Sequence, residues 1–140
     1  TKNLTINGKG AKLLTVSGNN ASRVFFVGSG ANVTISGLTI TQGNGSGASP
    51  NTCGGGILVN SATLTLHSSV ITGNSVPFGG TCNDGSGLYN RLGTVTIVNS
   101  TINNNSGAAG ISNNTSTTNI INSTISNNSG RFAGGIGSFQ

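Results

Sequence analysis

The chain of 140 residues carries one acidic residue, Asp84, against six Lys or Arg, for a formal net charge of +5, and glycine alone fills 24 positions. A single carboxylate rules out the paired acids of glycoside hydrolysis and the oxygen-rich cage of a calcium site. Sparse cations without an arginine run, together with few aromatics, give no basis for a nucleic-acid partner, and the longest apolar run, Val24 to Val27, is far too short to cross a membrane as a helix.

Strand patterning starts at once, with Leu4-Thr5-Ile6 in a divergent first coil over residues 1–22 that also holds Lys2, Lys9 and Lys12. From Arg23 onward, residues 23–43, 54–74, 85–105 and 108–128 read as gapless 21-residue blocks with apolar side chains at the same places, and a further copy opens over 133–140. Constant blocks whose starts lie 31, 31 and 23 residues apart place all insertions at one corner of a stacked-coil architecture. The fourth block position reads Phe26, Ile57, Leu88 and Ile111, continued by Ile136. The eleventh reads Val33, Leu64, Val95 and Thr118, the thirteenth Ile35, Leu66, Ile97 and Ile120, and the eighteenth Ile40, Ile71, Ile102 and Ile125. These files are the expected core.

Inside each block the pattern has a period of two, as in Val33-Thr34-Ile35 and Leu64-Thr65-Leu66, which puts apolar side chains on one strand face and threonines on the other. Helix-forming residues are sparse, so no helix is expected. Three short strands per coil, in about five coils each rising about 4.8 Å, predict an all-β parallel β-helix as one domain over residues 1–140. Equivalent residues recurring in the same direction argue against the hairpin reversals of a sandwich or barrel. Three further positions are rich in Asn and Gly: the sixth (Gly28, Val59, Asn90, Asn113), the fifteenth (Gly37, Ser68, Asn99, Asn122) and the last (Gly43, Asn74, Asn105, Asn128). These types suit coil corners, where left-handed backbone is tolerated and stacked amides hydrogen-bond along the axis. The alternative is an amide array that binds sugar.

Two ten-residue insertions, 44–53 and 75–84, occupy the same corner of successive coils and carry Cys53 and Cys82. Stacking brings the two cysteines close, so a disulfide and an oxidising compartment are expected, rather than two buried thiols or a metal site. Pro50, Pro77, Phe78 and Asp84 in these loops mark the first place to look for a ligand-specific patch.

Residues that could carry chemistry are isolated. His67 follows Leu66 on a strand, points outward and has no second ligand at metal spacing. No G-x-S-x-G accompanies an activating His and acid, and the glycine-rich stretch at 43–47 lacks the Lys-Ser/Thr of a phosphate loop. Neither a catalytic residue nor a cofactor or metal site is expected. Sequons such as Asn32-Val33-Thr34, Asn99-Ser100-Thr101 and Asn122-Ser123-Thr124 arise from composition and leave glycosylation open.

The runs Gly54-Gly55-Gly56-Ile57, Ala108-Ala109-Gly110-Ile111 and Ala133-Gly134-Gly135-Ile136, followed by alternating Thr and apolar residues and then by STINNN or STISNN, resemble secreted right-handed β-helix proteins of the pectate-lyase-like superfamily. They are most similar to the GGA[ILV]-type repeats of polymorphic outer-membrane adhesins and related bacterial surface proteins, although Ile102 and Ile125 stand where the adhesin FxxN motif has Phe. The resemblance implies a right-handed fold and an extracellular or cell-surface location. Without a signal peptide or initial Met, the sequence reads as a mature product or a segment of something larger. Strand patterning that runs to both ends implies open coil ends that pair with another copy or with neighbouring solenoid segments, the basic first coil meeting the aromatic end near Phe132 and Phe139. The expected function is therefore a non-enzymatic structural subunit of a cell-surface or fibre-like assembly. An adhesin or polysaccharide-binding module, with glycans as partners, is the alternative. A third reading comes from the outward Thr63-Leu64-Thr65 and Thr94-Val95-Thr96, which stack like the ladders of ice-binding solenoids.

Overall fold

A computed structural model describes residues 2–45, 53–77, 84–131 and 133–139. Coil one runs through β1 (Asn3–Asn7), β2 (Thr15–Ser17) and β3 (Phe25–Val27), and coil two through β4 (Asn32–Ser36), β5 (Thr39–Thr41) and β6 (Ile57–Asn60). Coil three has β7 (Thr63–His67), β8 (Val70–Thr72) and β9 (Leu88–Arg91). Coil four has β10 (Thr94–Val98), β11 (Thr101–Asn103), β12 (Ser106–Gly107) and β13 (Ile111–Asn114), and coil five β14 (Thr117–Ile121), β15 (Thr124–Ser126), β16 (Ser129–Gly130) and β17 (Ile136–Phe139).

Equivalent strands stack into three parallel five-stranded sheets, β1-β4-β7-β10-β14, β2-β5-β8-β11-β15 and β3-β6-β9-β13-β17, with β12-β16 as a short fourth ladder. No helix occurs among the described residues. The chain is a right-handed parallel β-helix, the hand that parallel crossovers almost always take.

The predicted files lie over one another: Ile57, Leu88 and Ile111 pair in sequence, as do Val33, Leu64, Val95 and Thr118, and Ile40, Ile71, Ile102 and Ile125. Ile35, Leu66 and Ile97 are fully buried, with Ile120 half-buried at the end of their file. Each fully buried Ile or Leu contributes about 1.5–3 kcal/mol of hydrophobic stabilisation. The core weakens towards coil five, where Ile125 is half-buried and Ile136 is 47% exposed.

Phe26 does not belong to this core. Phe25 pairs with Ile57 and Phe26 with Leu58, so Phe25 heads the file while Phe26 is 50% exposed on the outer face. One extra residue explains the shift: residues 28–31 separate Val27 from β4, whereas 60–62 separate its register partner Val59 from β7. A one-residue offset exchanges inner and outer faces because the strand period is two, and Gly30 at φ 73° accommodates the longer turn. The first block is therefore not in gapless register with the others. Residues 8–14 form a larger insertion between β1 and β2, a corner that later coils turn in two residues. Insertions thus occupy three corners rather than one.

The sixth block position also faces inward rather than lying at a corner. Val27, Val59, Asn90, Asn113 and Ser138 form one file, so Val27 takes the place expected for Gly28. The interior turns polar along the axis: the fully buried Asn90 donates through Nδ2 to Thr117 O (2.9 Å) and Thr118 Oγ1 (3.1 Å), and Thr118 Oγ1 donates to Asn113 Oδ1 (2.6 Å).

The fifteenth position is left-handed as expected, with φ of 63°, 48°, 50° and 44° at Gly37, Ser68, Asn99 and Asn122. The last position is not. The residue before it carries the positive φ, at Gln42, Gly73, Asn104 and Asn127, and Asn74, Asn105 and Asn128 turn their amides inward. Asn74 Nδ2 donates to Asn105 Oδ1 and Asn105 Nδ2 to Asn128 Oδ1, both at 2.9 Å, while the backbone N–H groups of Asn74 and Asn105 donate to the same oxygens at 3.0 Å. A serine ladder that the sequence reading missed runs parallel to it. Leu38 N donates to Ser69 Oγ (3.3 Å), Ser69 N to Ser100 Oγ (3.1 Å) and Ser100 N to Ser123 Oγ (3.1 Å). Both ladders satisfy backbone donors at corners where strand pairing stops.

Candidate functional site

The insertion corner is built on Arg23. Arg23 is only 8% exposed. Its Nε donates to the carbonyls of Cys53 and Gly54, each at 3.1 Å, and Nη2 to Cys53 O at 2.7 Å, with Cζ 5.9 Å from the Phe26 ring centroid. Burial lowers the pKa of the guanidinium from the usual arginine value, but an arginine stays charged, and these charge-assisted bonds fasten the returning end of the first insertion to the preceding coil.

Cys53, Leu58 and Tyr89 form a second buried cluster on the outer side of the third sheet. Leu58 and Tyr89 are register partners at outward positions that strand alternation would leave to solvent. The unbroken apolar run Ile57-Leu58-Val59 was the legible signal, because a strand buried on both faces loses its alternation. Cys53 is fully buried; Cys82, Pro50 and Phe78 lie outside the described residues. Pro77 and Asp84 are half-buried.

Asp84 anchors the return of the second insertion through its backbone, whose carbonyl accepts the Gly54 N–H at 3.1 Å. Burial raises the pKa of its carboxyl. The Tyr89 phenol is also raised, first by burial and then by the nearby Asp84, against opposing effects of Arg91 and a hydrogen bond with Asn114. Along the other side of the corner, Ser75, Val76, Ser106, Gly107, Ser129, Gly130 and Arg131 line an open groove of about 500 Å³.

The remaining candidate surface is the outer face of the first sheet. One column runs Asn3, Asn32, Thr63, Thr94, Thr117 and the next Thr5, Thr34, Thr65, Thr96, Asn119, in unbroken register across β1, β4, β7, β10 and β14. A third column changes from Asn7 and Ser36 through His67 to Val98 and Ile121. His67 is exposed as expected, with Nδ1 2.8 Å from Ser68 Oγ and Nε2 3.5 Å from Asn99 Nδ2. Among the described residues no group of three or more His, Cys, Asp or Glu could hold a metal ion, and no helix is long and apolar enough to cross a membrane.

No protein-family model matches the chain, and no curated protein or solved structure does either.

Proposed function

We propose that this chain is a non-enzymatic, extracellular β-solenoid unit of a cell-surface or fibre-like assembly, extended end to end by further rungs from another copy or an adjoining segment. The observation that carries the reading is the constant parallel register through five coils, which leaves β1, β2 and β3 at one end, and β14, β15 and β17 at the other, with one strand neighbour each among the described residues. Edge strands with free N–H and C=O groups are templates for the next strand. Leu4 at one edge is 53% exposed, and Ile136 and Phe139 at the other are 47% and 39% exposed, so a docked rung would cover apolar surface at both ends.

A secreted location and kinship with the pectate-lyase-like β-helix proteins belong to the same proposal. A coat made mostly of Asn, Ser and Thr supports the location, as does the expected Cys53–Cys82 disulfide, itself supported by the absence of a free cysteine among the described residues. A lone carboxylate in the whole sequence supports the non-enzymatic reading.

Sedimentation velocity over a concentration series tests the assembly. The chain is expected to form larger species as concentration rises, and Leu4→Lys or Ile136→Lys to hold it monomeric. A chain that stays monomeric at every concentration contradicts the proposal.

A second reading, a polysaccharide-binding or adhesin module, is favoured by the groove in which Ser75, Ser106 and Ser129 precede Arg131. Hydroxyls and one cation suit sugar hydroxyls and carboxylates. Binding on a glycan array that disappears in Arg131→Ala supports this reading, and silence across neutral and acidic glycans removes it.

A further inference from the structure

The outer face of the first sheet is a lattice rather than a pocket. Thr5, Thr34, Thr65 and Thr96 occupy successive rungs of one column, and the column beside it is Asn or Thr throughout. Rungs repeat at about 4.8 Å, and alternate side chains along a strand at about 6.7 Å. Flat stacks of parallel strands are stabilised by side-chain ladders, and the Asn74–Asn105–Asn128 and Ser69–Ser100–Ser123 ladders supply such ties at two corners. Threonine is also stiff at χ1, so its hydroxyl and methyl are held in place before any ligand arrives.

The chemistry of the face narrows what it can bind. None of its columns contains Lys, Arg, Asp or Glu, so a charged polymer finds no counter-charge there. Its two Thr/Asn columns contain no aromatic ring on which a neutral sugar could stack. Each Thr presents a hydroxyl that both donates and accepts, next to a methyl that orders adjacent water without bonding to it. The two repeats are close to the oxygen spacings on exposed planes of hexagonal ice. We propose that the Thr/Asn face of the first sheet binds ordered water and, through it, the surface of ice. The second sheet is a poorer candidate, since its strands are three residues long and Val70 interrupts its threonine column. This inference uses the side of the solenoid and stands apart from assembly at its ends.

The test is partition of the full chain into a growing ice hemisphere, with thermal hysteresis measured on the same samples. Wild type is expected to enter the ice and to shape crystals. Thr65→Tyr and Thr96→Tyr, which break the flatness at the centre of the face, are expected to lose most of both effects, while Thr41→Tyr on the second sheet keeps them. Far-UV circular dichroism checks that each variant folds, and Thr94→Lys at an exposed position of the same face replaces any variant that does not. Exclusion of wild type from the ice overturns the proposal, as does full activity in the first-sheet variants or a selective loss in Thr41→Tyr.

Discussion

Asn105 shows most clearly what one side chain does in this fold. Fully buried, it donates to Ile71 O (3.1 Å), Asn103 O (3.0 Å) and Asn128 Oδ1 (2.9 Å) and accepts from Asn74 on the rung below. Its removal strands several buried groups at once, each worth about 1–3 kcal/mol when left unsatisfied. Asn105→Ala is therefore expected to destabilise the chain by about 3 kcal/mol or more in urea unfolding, while Asn99→Ala, at an exposed corner, has a much smaller effect. Asp84 gives a pH signature of unusual sign. Its carboxyl pKa is raised in the folded chain, so the folded state binds the proton more tightly than the unfolded state and the stability penalty is present above the raised value. Acidification through that value towards the ordinary aspartate range should raise stability slightly, and Asp84→Asn should remove the pH dependence in that range. A melting temperature that falls with acid in wild type and not in Asp84→Asn would contradict this. At the residue scale the sequence was readable wherever a side chain repeats its role. It misled at Asn90 and Asn113, because Asn at a corner and Asn in a polar stretch of core are the same letter.

Elements were legible in type and almost in register. The files over Ile57, Leu64, Leu66 and Ile71 needed only the period of two and the block spacing, since local alternation and long-range repetition agree. The miss at Phe26 followed from one added residue among 28–31, which keeps the apolar composition of the strand and changes only which side chain points in. Nothing in Val24-Phe25-Phe26-Val27 distinguishes the two registers, because every position is apolar. The glycines that open the third-sheet strands carry a separate constraint. Gly54 and Gly85 have φ of 63° and 59°, and an added Cβ would collide with the carbonyl oxygens of Ile57 and Leu88. Gly30 also has positive φ, yet a Cβ there meets nothing within 4 Å. Gly54→Ala and Gly85→Ala should thus cost clearly more stability than Gly30→Ala, for which the backbone penalty of about 1 kcal/mol stands alone. Equal melting temperatures for the three variants would show that the close approach is relieved elsewhere.

The whole molecule is a short stack whose ends and sides offer different surfaces. The sequence made the stack legible because each rung repeats the one below. It could not show the serine ladder's partners, the clasp of Arg23 or the second cluster of Cys53, Leu58 and Tyr89, since these depend on which residues from different coils meet. Charge sets the condition for assembly. Lys2, Lys9 and Lys12 stand on the first coil and Arg131 on the last, with a net charge of +5 overall, so apposed ends repel and screening by salt should promote association. Inhibition by salt would point to ionic pairing between ends instead. Fibre diffraction from oriented, concentrated samples of the purified chain tests end-to-end stacking most directly. Filaments with a reflection near 4.8 Å along the fibre axis, absent from Leu4→Lys, are the expected result. The contradicting result is a sample that forms no filaments, or filaments whose strand spacing lies across the axis.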